Sequence, residues 1–125
     1  MKIFVTLGSL SALLGVGLGA FGAHGLKSRV GPELLTTWNT GVQYHLVHAL
    51  GLVMVGILCH LLPEVSLARI AGWFLVAGTL LFSGSLYVLV LSGVRSLGMI
   101  TPLGGVCFLL GWLLLALAAW KSAGS

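Results

Sequence analysis

Charge is what this chain has least of. Lysine, arginine, aspartate and glutamate together make up 6% of its 125 residues, and the acidic share is two glutamates. A soluble domain carries roughly 25% charged residues. So few charged side chains cannot cover a water-facing surface, and lipid must cover most of this one. Both glutamates, Glu33 and Glu64, lie outside the long apolar runs, so no paired carboxylates are available for general acid–base work. There is no nucleophile motif and no glycine-rich phosphate loop. The net charge of +4 comes without a basic patch interleaved with aromatics, which argues against nucleic-acid binding. The basic residues are expected to meet lipid headgroups instead. Cysteine is scarce too: Cys59 and Cys107 fall in different apolar runs, so no disulfide is expected and both read as small core residues.

Apolar sequence is abundant, at 58% of residues and a mean hydropathy of +1.16. A helix needs about 20 apolar residues to cross the hydrocarbon core, because it rises about 1.5 Å per residue. Four runs meet that requirement: 3–22, 42–62, 70–91 and 98–120. They are too long and too little alternating for the strands of a barrel. The expected fold is therefore an all-α integral membrane protein, a single domain of four transmembrane helices. The first run, following Lys2, imitates a signal peptide. Its length and spaced glycines favour a retained helix.

The links after the second and third runs are short, which forces antiparallel neighbours and an up-down-up-down bundle. Pro63-Glu64 is expected to stop helix two. The stretch between the first two runs is longer. In it Pro32 suits a first helical turn. Leu34, Leu35 and Trp38 fall on one face and Glu33, Thr37 and Thr40 on the other. That pattern predicts an amphipathic interfacial segment, which runs on into helix two if Gly41 permits. Lys2, Arg69 and Lys121 fall on one side of the membrane and Lys27, Arg29 and Arg95 on the other. The tie leaves orientation undetermined. Trp38, Tyr44, Trp73, Tyr87 and Trp120 are expected at headgroup depth, whereas Trp112 sits deeper and needs a partner for its N–H.

Close packing, not water, holds helices together in lipid. Gly8, Ala12, Gly15, Gly19 and Gly22 step by four and three along helix one, a stripe that lets another backbone approach. Gly104, Gly111 and Ala118 repeat the device on helix four, and Gly72, Thr79 and Ser83 offer a flank on helix three.

The polar residues that could carry chemistry gather near the start of helix two: Gln43, Tyr44, His45 and His48. His45 and His48 are three apart and are expected to share a face. With His24 and Arg95, they are expected to converge at one end of the bundle. Such a cluster suits a lipid headgroup or a small ligand. Two histidines are too few for a metal site, and no further ligand stands nearby. A haem would need opposed imidazoles that spacing cannot show. The structural reading is that these histidines bond across helices or to backbone carbonyls. His60 is expected to face the interface. The polar fragments 82–87 and 101–105 read as hydrogen-bonding glue between helices.

Four ordered motifs carry a resemblance: Phe21-Gly22-Ala23-His24-Gly25-Leu26, Tyr44-His45-x-x-His48-Ala49-Leu50-Gly51, Phe82-Ser83-Gly84-Ser85-Leu86-Tyr87 and Ile100-Thr101-Pro102-Leu103-Gly104-Gly105. Over nearly its whole length the chain resembles the YgdD-like small membrane proteins, known as domain of unknown function 423 and related to eukaryotic transmembrane protein 256. It looks like a bacterial member. The resemblance implies a four-helix, multi-pass protein of the bacterial inner membrane with no established reaction, substrate or cofactor. Some members are associated with membrane stability. The expected function is accordingly non-enzymatic: support of membrane integrity, or company to a larger membrane complex. The alternative is lipid or small-ligand binding at the His/Tyr/Arg end, with a haem or metal carrier behind it. Membrane lipids are the expected partners, with a homo-oligomer or another membrane protein also open.

Overall fold

A computed structural model describes residues 2–62 and 66–123, with side chains through Lys121. Four helices account for nearly all of them: α1 (Lys2–Phe21), α2 (Pro32–Leu61), α3 (Ser66–Ser92) and α4 (Thr101–Ala123). Each carries a window long and apolar enough to cross a membrane, and no strand forms among the described residues. The protein is an all-α membrane protein of four spans.

The ends follow from local chemistry. One wide π-helical turn, Gly22–Leu26, continues α1. Pro32 opens α2 from its first turn, where a missing N–H costs no bond, after an extended Gly31. Helix α2 is therefore ten residues longer at its start than the apolar run from Val42. The segment expected to be amphipathic is its first turns, continuous through Gly41. The stop expected at Pro63-Glu64 lies outside the described residues. At the end of α3, Gly93 takes φ 77° and its N–H bonds Leu89 O at 2.8 Å. A side chain there would be strained, whereas glycine is not. A single 3₁₀ turn, Arg95–Met99, then leads to α4, which carries Pro102 in its first turn.

Helices α2 and α3 form the middle of the bundle. Helix α1 packs along α2 and α4 along α3, each antiparallel to its neighbour. The stripe on α1 does what its spacing predicts, and its partner is α2 of the same chain. A Cβ on Gly8 would stand 2.8 Å from Ala49 O and from Val53 N, so the two backbones touch there. Farther along, Gly15 receives Leu46, Gly19 receives Val42 and Gly22 receives the Trp38 indole. Ala12 is half-buried. On α4, Gly104 lies on the Phe82 backbone and Gly111 admits Leu75. On α3, Gly72 makes room for the Phe4 ring.

Two aromatic residues expected at headgroup depth turn inward. Trp38 is 1% exposed, and its indole N–H donates to Leu18 O at 2.9 Å. The Tyr87 ring packs against it at a tilt, with ring centroids 4.7 Å apart. The reason is the early start of α2, which carries Trp38 along the glycine stripe rather than above it. Trp73 and Trp120 stay exposed near helix ends, as belt residues do, and so does His60. Cys59 and Cys107 are free and half-buried.

Candidate functional site

The polar residues of α2 do not gather at one end of the bundle. The lengthened helix sinks His45 and His48 to mid-span. Phe108, whose ring stacks on His48 at 3.5 Å, lies midway along the chain between Arg95 and Lys121. His24 and Arg95 stay behind at the exposed end. Arg95 there faces Glu33 at 3.9 Å, both side chains largely solvated. Gln43 is exposed on the outer face of α2. Tyr44 is partly exposed, its ring 4.5 Å from Phe82. Of the six candidates, only His45 and His48 are buried in the bundle.

Three residues of separation do not give these two histidines a common neighbour either. They flank the helix edge that rests on α3, and each turns to a different outer helix. His48 turns to α4. Its Nδ1 lies 2.7 Å from Tyr44 O and its Nε2 2.9 Å from the Trp112 indole nitrogen. A carbonyl only accepts, and an indole N–H only donates. The imidazole is thereby held with its proton on Nδ1 and its Nε2 lone pair occupied. The partner expected for the Trp112 N–H is this ring.

His45 turns to α1 and α3. Its Nε2 meets Ser11 Oγ at 2.9 Å and its Nδ1 meets Tyr87 Oη at 2.9 Å. Both partners are hydroxyls, which donate or accept. Either tautomer of His45 is therefore satisfied by turning two hydroxyl hydrogens. Neither hydroxyl residue stood out in the sequence as chemistry. Ser11 is one of two serines in a glycine-rich helix, and Tyr87 read as a depth marker. The fragment holding Tyr87 also supplies the expected glue: Ser83 donates to Gly41 O on α2 at 2.7 Å, and Ser85 pairs with Thr101 on α4 at 2.6 Å.

Above the Ser11–His45–Tyr87 row lies a groove of about 380 Å³ between α1 and α3, floored by α2. Its walls include Leu10, Leu14 and Leu80, all more than half exposed, so the groove opens toward lipid. Ser83 and Thr79 also line it, as does Gly84, where a Cβ would meet nothing within 4 Å. Among the described residues, no charged side chain borders it.

A hydroxyl, an imidazole and a third polar group in a row are the parts of an activated serine. The surroundings do not complete that machinery. An oxyanion needs free donors aimed at it. Here the backbone N–H groups are spent within the helices, Thr79 donates to Leu75 O and Ser83 to Gly41 O. For metals, no set of three or more His, Cys, Asp or Glu side chains comes together among the described residues. All four imidazole nitrogens of His45 and His48 are engaged by protein atoms.

Comparison with known proteins gives a consistent neighbourhood. The family described as "Protein of unknown function (DUF423)" matches residues 18–105. The UPF0382 membrane protein YwdK of Bacillus subtilis is 51% identical over 121 residues, covering 97% of this chain and 98% of its own. A UPF0382 membrane protein of Staphylococcus epidermidis is 46% identical, covering 99% of this chain and all of its own. One of Staphylococcus haemolyticus is 42% identical with the same coverage. No solved structure matches.

Proposed function

The chain belongs to the DUF423 family of bacterial membrane proteins, and from that premise we propose that it is a non-enzymatic ligand-binding protein of the inner membrane. Its ligand is an uncharged lipid with an acyl or isoprenoid tail. The tail lies in the α1–α3 groove and a hydroxyl or carbonyl group meets Ser11, His45 and Tyr87. The observation that carries this reading is the polar row at mid-span beneath an otherwise apolar, open groove. Ionisable groups in a span are costly and tend to mark ligand or ion pathways. When His45 donates to Ser11, the serine O–H is free to donate to a ligand; when the tautomer reverses, the Tyr87 O–H is. An uncharged ligand follows from the uncharged lining. The inner membrane suits a bundle of apolar helices, since outer-membrane proteins are built as barrels. Support of membrane integrity, or company to a larger complex, draws on family resemblance alone, whereas the groove has a shape and chemistry of its own.

Native mass spectrometry after gentle extraction tests the proposal. A Gly84→Phe variant starts from a Cβ that meets nothing within 4 Å and directs a ring at the groove. A Gly105→Phe variant places the same ring at another site where a Cβ meets nothing within 4 Å. The parent and Gly105→Phe are expected to retain a lipid that Gly84→Phe loses. Equal retention in all three would overturn the reading.

A further inference from the structure

Most polar groups in the spans have hydrogen-bond partners. Thr36, Thr40 and Thr79 donate to carbonyls of their own helix, and Ser83 and Ser85 bond across helices. Gln43 is an exception. It is exposed and makes no side-chain hydrogen bond among the described residues. It lies ten residues into α2 from Glu33, roughly 15 Å at 1.5 Å per residue, and so within the hydrocarbon. Lipid tails offer a carboxamide neither donor nor acceptor, and leaving it unpaired costs several kcal/mol.

Gln43 also heads a seam. Val47, Leu50, Met54, Ile57 and Leu61 follow it at steps of four, three, four, three and four, and all five are about half exposed or more. On α1 and α4 the exposed residues spread broadly round the helix; on the second half of α2 they are this narrow line and His60 beside it, and α3 shows a comparably narrow one. A line of that spacing is what two helices share in a left-handed crossing. One polar residue in such a seam fixes register.

We propose that this face of α2 packs against α2 of a second copy of the chain, with Gln43 paired to Gln43 across the twofold axis. A carboxamide both donates and accepts, so the same residue on a symmetry-related copy satisfies each of the two. That self-complementarity selects a second copy over lipid. The groove lies between α1 and α3, on the other side of α2, so this proposal stands or falls apart from the ligand.

Disulfide cross-linking in native membranes tests it. In a Cys59→Ser/Cys107→Ser background, single substitutions Val47→Cys, Leu50→Cys and Met54→Cys are oxidised. Leu13→Cys on α1 and Leu109→Cys on α4 serve as exposed controls. Dimers are expected from the α2 positions and not from the controls. Adding Gln43→Leu to Val47→Cys is expected to lower the dimer yield about five- to tenfold, the loss of two interhelical hydrogen bonds. Three results would each defeat the proposal: no α2 dimer, equal cross-linking at the controls, or a yield indifferent to Gln43→Leu. Cross-linking of α2 to a different protein defeats it as well.

Discussion

His45 and His48 leave α2 one turn apart and meet two kinds of surroundings. On the α4 side everything is closed: Phe108 covers the His48 ring, Trp112 occupies its Nε2, and Gly104 brings α4 onto the backbone of α3. On the α1 side the helices part. Phe4 fits against Gly72 at one end, but beyond it leucines of α1 and α3 face each other across a groove. The hydrogen-bond partners differ in the same sense. His48 is held by groups that can play one role each, and His45 by hydroxyls that can play two. One imidazole is a fastener and the other is adaptable, and the difference comes from neighbours rather than from α2 itself. A buried polar group with fixed partners rigidifies a fold. One whose partners can reverse is free to answer to a ligand.

The largest test of that contrast sets a glycine at the close α3–α4 contact against one that faces the groove. Gly104→Ala pushes a Cβ into the Phe82 backbone, which cannot yield as a side chain would. It is expected to destabilise by about 2–3 kcal/mol. Gly84→Ala, facing the groove, is expected to change stability by less than about 0.5 kcal/mol. Unfolding titrations in mixed micelles, followed by tryptophan fluorescence, read both. Equal losses would mean the two sides are equally close-packed.

Next in size is the fastener. Trp112→Phe keeps an aromatic ring but leaves the His48 Nε2 lone pair without a donor. The expected cost is about 1–2 kcal/mol. In a His48→Phe background the same change should cost little, because the bond is already gone. A double-mutant cycle with no coupling would show that the indole contributes packing alone.

On the adaptable side, Tyr87→Phe is expected to cost less, about 0.6 kcal/mol. His45 keeps Ser11 and can choose the tautomer that suits it. Imidazole ¹⁵N spectra distinguish the two rings directly. His48 should show one tautomer with the proton on Nδ1, unaltered by Ser11→Ala or Tyr87→Phe. The His45 pattern should change with each. A His45 spectrum fixed in all three proteins would erase the contrast.

The sequence carried the parts of this arrangement that depend on spacing along one helix. Four apolar runs gave four spans, glycines at steps of four and three marked the packing face of α1, and the depth of Trp112 announced that its N–H needed a partner. Relations between helices were not legible. The apolar run put the start of helix two at Val42, because Glu33 and the threonines before it are polar. The threonine hydroxyls bond their own helix instead, and α2 starts at Pro32. That one offset moved His45 and His48 from the end of the bundle to its middle and turned Trp38 and Tyr87 inward. Ser11 gave no signal, since it and Ser9 read as two more small residues among the glycines.

The smallest expected effect concerns the end where the cluster was first sought. Arg95 faces Glu33 at 3.9 Å, with both side chains more than three-quarters exposed. A solvated pair at that distance is worth little, because water screens the charges and ordering two long side chains costs entropy. Arg95→Ala is therefore expected to change stability by no more than about 0.5 kcal/mol. Its more useful reading is in the lipid bound. If an uncharged ligand sits at mid-span, Arg95→Ala leaves retention in native mass spectrometry unchanged, as does His24→Ala. Loss of an anionic lipid from either variant, with retention intact in Gly84→Phe, would move the binding site from the groove to the headgroup level. The adaptable histidine would then be one more interhelical bond, and the two sides of α2 would differ in packing alone.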